Sequence, residues 1–181
     1  MPEGSTVPDS DAAIRQATAE LATRLVATLT ERHLTIAVAE SLTGGLVVAE
    51  LVAVPGASLV LNGGVVAYNT EVKHTVLGVD AQVLASHGPV HPDVASQLAA
   101  NVREVLAVGG VAADVGIGTT GVAGPEPQGG HPVGTVFVGI AVGPTVVAFP
   151  LNLDGDRRAI RERVVYESLL RVEKMLDEAM T

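Results

Sequence analysis

Cysteine is absent from the chain, so disulfides, thiolate zinc sites and cysteine nucleophiles are excluded. Tryptophan is also absent and aromatic residues make up only 2% of the sequence. A core without large rings has to be filled by Val, Leu, Ile and Ala, and such runs favour strands buried on both faces. No stretch reaches 18 consecutive apolar residues, and the opening residues MPEGSTVPDSD contain no apolar segment. Neither a membrane span nor a secretory leader is expected, and the sequence reads as that of a cytoplasmic protein. Positive charge is scarce: 11 Lys and Arg face 20 Asp and Glu, for a net charge of −9. That field repels a phosphate backbone, so no nucleic-acid partner is expected. A small anionic ligand stays compatible with it, because a local cluster of donors overrides the net charge. Lysine is nearly missing, with Lys73 and Lys174 the only two.

What is present fits one domain of 181 residues. Residues 1–9 read as a flexible tail and residues 10–181 as the domain. Ile14, Leu21, Leu25 and Leu29 recur at helical spacing and predict a helix over 10–33, capped by Asp9 or Ser10. A strand over 35–39 runs into the turn AESLTGG and a helix that ends near Pro55. A second strand is expected over 64–69, then a helix over 71–78 with Thr70 as its cap. Further helices are expected from Asp80 to Gly88 and over 93–108. A third strand, 114–121, enters a long Gly- and Pro-rich loop over 121–134. Two strands, 135–142 and 145–153, are separated only by Gly143 and Pro144 and so form an antiparallel hairpin. A last helix runs from about Asp156 to Ala179. Strands alternating with helices imply a single-domain, three-layer α/β/α sandwich with a mixed sheet.

Ser41 stands at a strand-to-helix turn, where unpaired backbone N–H groups are available. It can cap the helix, hold a phosphate or act as a nucleophile whose oxyanion the same amides stabilise. Gly44 and Gly45 are read as part of the first helical turn, at a cost of roughly 1 kcal/mol each, which makes sense where a ligand approaches the backbone. A nucleophile needs a base. Five histidines offer no order that spacing can assign. Lys73 follows the strand that carries Tyr68. Buried, it would have a lowered pKa and serve as base; on the surface, it would pair with Glu71 or Asp80. Tyr68 either packs in the core or polarises Ser41 and relays a proton.

The segment 118-GTTGVAGP-125 puts hydroxyls and glycines at another strand end, where α/β sheets bind ligands. It is read either as a flexible linker or as the second wall of a pocket shared with Ser41. Arg157 and Arg158 open the last helix, where positive charge is mildly unfavourable. A phosphate or carboxylate ligand explains them, as does neutralisation by Asp154, Asp156 and Glu162. No metal site is read, since Gly88 and Pro89 prevent His87 and His91 from pairing on a helix.

Taken together, 39-AESLTGG-45, 55-PGAS-58, 63-GGVVAYNTEVKHTVLGV-79, 120-TGVAGP-125, 132-PVGTV-136 and 155-GDR-157 resemble the CinA C-terminal domain, the nicotinamide-nucleotide amidohydrolase (PncC) family. The likeness runs in order from Thr35 to the final helix, and the chain's length matches the stand-alone form of the domain. It implies hydrolysis of the carboxamide of nicotinamide mononucleotide to nicotinate mononucleotide and ammonia, with no metal and no cofactor. It also implies Ser41 as nucleophile, Lys73 as base and Tyr68 as the proton-relay or orienting group. Substrate would be held by Thr43, Gly44, Gly45, Thr120, Gly121 and Gly124, with Arg157 on its phosphate. The implied partner is a small nucleotide, with a homo-oligomer as the assembly. The chain departs from the family pattern at Leu42, where Cys is usual, at 88-GPVH-91 in place of GAVS, and at His131 in place of Lys. A second reading is a non-catalytic nucleotide-binding or competence-associated accessory domain.

Overall fold

A computed structural model of the chain describes residues 10–179, and the tail expected at residues 1–9 lies outside them. The described residues form α1 (Asp11–Glu31), β1 (Ile36–Glu40), α2 (Leu46–Val52), a short turn of 3-10 helix (Ala57–Leu59) and β2 (Leu61–Val66). Then come α3 (Thr70–Thr75), α4 (Ala81–His87), α5 (Pro92–Val105), β3 (Val115–Gly121), β4 (Thr135–Val142), β5 (Thr145–Asn152) and α6 (Arg157–Glu178). The strands make one sheet in the order β2-β1-β3-β4-β5. β1 is parallel to β2 and β3, whereas β4 is antiparallel to β3 and β5. The mixed sheet and its terminal hairpin are those implied by the alternation of elements.

Side chains alternate across a strand, so each strand feeds two cores. Ile36, Val38, Val115, Ile117, Val138 and Ile140 pack with α1 and α6 on one face. Ala37 and Ala39 pack on the other face with Val94, Leu98 and Val102 of α5. The second face is built from small residues, and α5 lies almost on the sheet backbone. A Cβ added at Gly116 would fall 1.9 Å from Ala99 O, and one at Gly139 would fall 2.0 Å from Ala95 O. Glycine at these two strand positions is therefore a packing requirement.

Local signals set most boundaries. Ser10 Oγ accepts from Ala13 N, Asp80 Oδ1 from Gln82 N, and Asp156 Oδ1 from both Arg158 N and Ala159 N, each capping its helix. Two expectations are corrected. Thr70 is not the cap of α3, because Asn69 Oδ1 accepts the Glu71 amide and fills that role. β2 spans Leu61–Val66 rather than 64–69. Past Val66, Ala67 N still donates to Glu40 O, but the chain then turns and its next two carbonyls face Lys73. No helix among the described residues is long and apolar enough to cross a membrane.

Candidate active site

β1 and β3 are neighbours and parallel, so Ser41 after one and Thr120 and Gly121 at the end of the other emerge side by side. They open onto a cavity of about 160 Å³, which Tyr68, Lys73, Gly124 and Arg157 also line. The two glycine-rich strand ends thus meet in one cleft beyond the carboxyl edge of the sheet.

The turn after β1 is built differently from the expectation. Ser41 does not cap α2. Glu40 does: its buried carboxylate accepts from Gly45 N at 2.9 Å, Val47 N at 3.1 Å and Val48 N at 2.9 Å. The orphan amides at the start of the helix are satisfied by an anion, which suits the positive end of the helix. Gly44 and Gly45 precede α2 rather than weakening its first turn, with φ of 61° and 97°. A side chain would be strained there, so glycine shapes the turn. Neither residue lines the cavity: a Cβ on Gly44 would meet the Arg161 guanidinium, and Gly45 N is taken by Glu40. Thr43 is also outside it, fully buried, with its hydroxyl 2.8 Å from that of Thr119. The expected substrate contacts of Thr43, Gly44 and Gly45 are therefore corrected to structural roles. Released from capping, Ser41 faces the cleft. Its N–H donates to Thr119 O and Oγ1, and its own hydroxyl has no hydrogen-bond partner among the described residues.

Lys73 is the largest fully buried side chain, 1% exposed. Its Nζ donates to Ala67 O at 2.6 Å and to Tyr68 O at 3.4 Å. The pairing with Glu71 or Asp80 does not occur. Burial, uncompensated by any carboxylate, lowers its pKa to about 8. A lysine in that range is roughly one-tenth neutral at pH 7 and can accept a proton. Among the described residues no hydrogen bond joins Lys73 Nζ to Ser41 Oγ, although both line the cleft.

Tyr68 is 62% exposed, so the core-packing alternative fails. Its hydroxyl accepts from Arg157, 3.0 Å away, and Arg157 also donates to Gly124 O at 2.7 Å. Both partners are neutral oxygens, so they orient the guanidinium without cancelling its charge. Arg158 behaves oppositely: it pairs with Glu162 at 2.7 Å, and that hydrogen bond raises its pKa. Neutralisation thus holds for Arg158 and fails for Arg157. Thr120 is buried, and its hydroxyl donates to Pro89 O at 2.5 Å, tying β3 to the segment before α5. His87 and His91 stack with centroids 4.3 Å apart, and His91 Nδ1 accepts the Asp93 amide as the cap of α5. The described residues contain no group of three or more potential metal ligands.

Three residues hold the turn in ways the sequence does not reveal: Glu40, Thr119 and Arg161. For Glu40 the sequence shows only a lone carboxylate closing an otherwise apolar strand. Arg161 donates to Leu42 O and Thr43 O from 119 and 118 residues away, a separation that no local pattern encodes.

Comparison with known proteins places this arrangement. Residues 18–176 match the family described as CinA C-terminal domain. A CinA-like protein of Frankia casuarinae is 47% identical over 148 residues, covering 82% of this chain and 33% of its own length. A putative competence-damage inducible protein of Geobacillus kaustophilus is 50% identical over 144 residues, covering 79% of this chain and 34% of its own. The chain therefore spans about a third of the length of these curated relatives. Among solved structures, a competence-damaged protein (CinA) superfamily protein from Enterobacter cloacae superposes with a TM-score of 0.82 at 29% identity, covering 88% of this chain and 92% of that one. A competence/damage inducible protein from Agrobacterium tumefaciens gives 0.80 at 30% identity, covering 87% and 94%.

Proposed function

The chain belongs to the CinA C-terminal domain family, and from that premise we propose that it hydrolyses the carboxamide of nicotinamide mononucleotide through a serine–lysine pair. The observation that carries this reading is one cleft lined by an unpartnered serine hydroxyl, a buried lysine of lowered pKa and an arginine with uncancelled charge. Each fits one part of the substrate. The Arg157 guanidinium suits the phosphate. Ser41 Oγ is the nucleophile for the carboxamide carbon. Neutral Lys73 takes the hydroxyl proton as the C–O bond forms and returns it to the nitrogen as the C–N bond breaks, releasing ammonia. Water, deprotonated by the same amine, then attacks the acyl-serine ester and frees Ser41 with nicotinate mononucleotide as product. The hydrogen bond from Arg157 to the Tyr68 hydroxyl supports the orienting role for Tyr68, at substrate placement, over the proton-relay role.

The test is ammonia release from nicotinamide mononucleotide with chelator present, for the wild type and Ser41→Ala together. Release by the wild type and none by the variant, with the thermal melt unchanged, is the expected result. Full activity in the variant, or none in the wild type, overturns the proposal. Stabilisation of an inactive wild type by the nucleotide would point instead to the non-catalytic binding domain.

A further inference from the structure

The loop between β3 and β4, which the sequence allowed to be a flexible linker, is a constrained wall of the cleft. Pro125 and Pro127 fix the backbone on either side of Glu126, and a residue before proline is restricted to extended conformations. Gln128 and His131 then exchange backbone hydrogen bonds of 3.1 and 3.0 Å across Gly129 and Gly130. Those glycines have φ of 58° and 81°, as a two-residue hairpin turn requires. At the root of the loop, Gly124 O is tied to α6 by Arg157. Glu126 therefore sits on a stiff segment, and it lines the same cavity as Ser41, Lys73 and Arg157.

Among the described residues that line this cavity, Glu126 is the only acidic one. Its carboxylate has no hydrogen bond or ion pair among the described residues. Arg157 is nearby, since it holds a carbonyl only two residues before Glu126, yet the two charges do not pair. The guanidinium is engaged by Gly124 O and the Tyr68 hydroxyl instead. The cleft thus keeps one anion and one cation apart, neither cancelled by a partner. A purely anionic ligand would be repelled by Glu126, and a neutral one would leave it unused. A ligand that carries both signs of charge uses both.

The nucleotide of the amidohydrolase reading carries both. Its phosphate is negative and suits Arg157. Its ring nitrogen, bonded to the ribose, is a quaternary pyridinium whose positive charge no change of pH removes. The reduced, dihydropyridine form has the same phosphate, ribose and carboxamide on a neutral ring. Resting on the amidohydrolase reading, we propose that Glu126 is a specificity-determining residue whose carboxylate faces the pyridinium and makes the cleft select the oxidised nucleotide over its reduced form. The carboxylate offsets the repulsion that a cationic ring meets from Lys73 and Arg157. It moves no proton and touches no bond that breaks.

The experiment is a cycle of two ligands and two proteins, read by calorimetry at mildly alkaline pH. Ser41→Ala, in which turnover is blocked, and Ser41→Ala with Glu126→Gln are each titrated with nicotinamide mononucleotide and with its reduced form. The first protein is expected to bind the oxidised nucleotide about fivefold more tightly, the size of a partly exposed ion pair. Glu126→Gln, which removes the charge and keeps the shape, is expected to bring the two affinities within about twofold of each other. Glu126→Lys is expected to reverse the preference. Because Glu126 is exposed and unpartnered, all three proteins should melt alike. Binding of both nucleotides with a ratio that neither substitution changes overturns the proposal and leaves the substrate assignment standing. An equal loss on both nucleotides also overturns it, since that would put the carboxylate on the ribose hydroxyls they share. Binding of neither nucleotide to Ser41→Ala overturns the substrate assignment and this proposal together.

Discussion

Glu40 and Lys73 occupy matching places and meet opposite fates. Each follows or ends a strand of the parallel half of the sheet, each is 1% exposed, and neither has a charged partner among the described residues. The Glu40 carboxylate finds three backbone N–H groups at the start of a helix, which replace the water it lost. The Lys73 ammonium finds only two carbonyls, one of them at 3.4 Å, and burial pulls its pKa down to about 8. A buried charge that is fully satisfied becomes architecture. One that is under-satisfied is available for chemistry, because its proton is loosely held near neutral pH.

The sharpest way to break this comparison is to remove the Lys73 charge. Lys73→Met keeps most of the buried volume and is expected to cut ammonia release by about 1,000-fold or more. In the wild type, activity should rise as pH passes through about 8, where the amine loses its proton, and the variant's residual rate should lack that rise. Stability gives an independent reading. The folded-state pKa of about 8 lies below the ordinary 10.5, so the buried charge disfavours the fold fully below about 8. Between those values the unfolded chain holds the extra proton, and wild type should gain stability relative to Lys73→Met as pH rises. Parallel stability curves over that window would show that the amine is not desolvated.

The converse break is at Glu40. Glu40→Ala strands three buried or half-buried amides at the start of α2 and is expected to cost about 2–4 kcal/mol in denaturant unfolding. A cost below about 1 kcal/mol would mean that water replaces the carboxylate and that the cap is not what fixes the Ser41 turn.

The same pair shows where the sequence was legible. The strands could be read because Ile36-Ala-Val-Ala and Val136-Phe-Val-Gly alternate or run apolar, and the caps Ser10, Asp80 and Asp156 because polar residues stand next to periodic helices. β2 was misplaced because its Leu61-Asn-Gly-Gly-Val-Val run is a partly exposed edge strand whose glycines look like a turn. At the site, Ser41, Lys73, Tyr68, Thr120, Gly121, Gly124 and Arg157 stood out as rare or oddly placed residues, and the fold brings all seven to one cleft. Thr43, Gly44 and Gly45 join them in the sequence reading because two glycines in a first helical turn suggest a ligand close to the backbone, and because the family resemblance implies it. A turn reverses direction within two residues, and these three face Thr119, Arg161 and Glu40 instead. Whether a buried carboxylate caps or catalyses depends on which amides reach it, and that is decided by tertiary structure.

Arg157 supplies the third and smallest contrast, a charge left in solvent and held only by Gly124 O and the Tyr68 hydroxyl. Exposed at the mouth of the cleft, it contributes little to folding, so Arg157→Ala should change unfolding free energy by less than about 0.5 kcal/mol. Its charge remains available to an anion, and losing a charge-assisted contact of about 1.5–3 kcal/mol corresponds to a KM increase of roughly 10- to 150-fold. Arg157→Lys should recover only part of it, since an ammonium cannot span Gly124 O and Tyr68 Oη while presenting two parallel donors to a phosphate. The decisive control is a substrate without the phosphate, nicotinamide riboside. If Arg157 meets the phosphate, the variant and the wild type should process the riboside equally. A variant that loses as much on the riboside as on the nucleotide would move Arg157 from the phosphate to the shape of the cleft itself, through its hold on Tyr68 and Gly124.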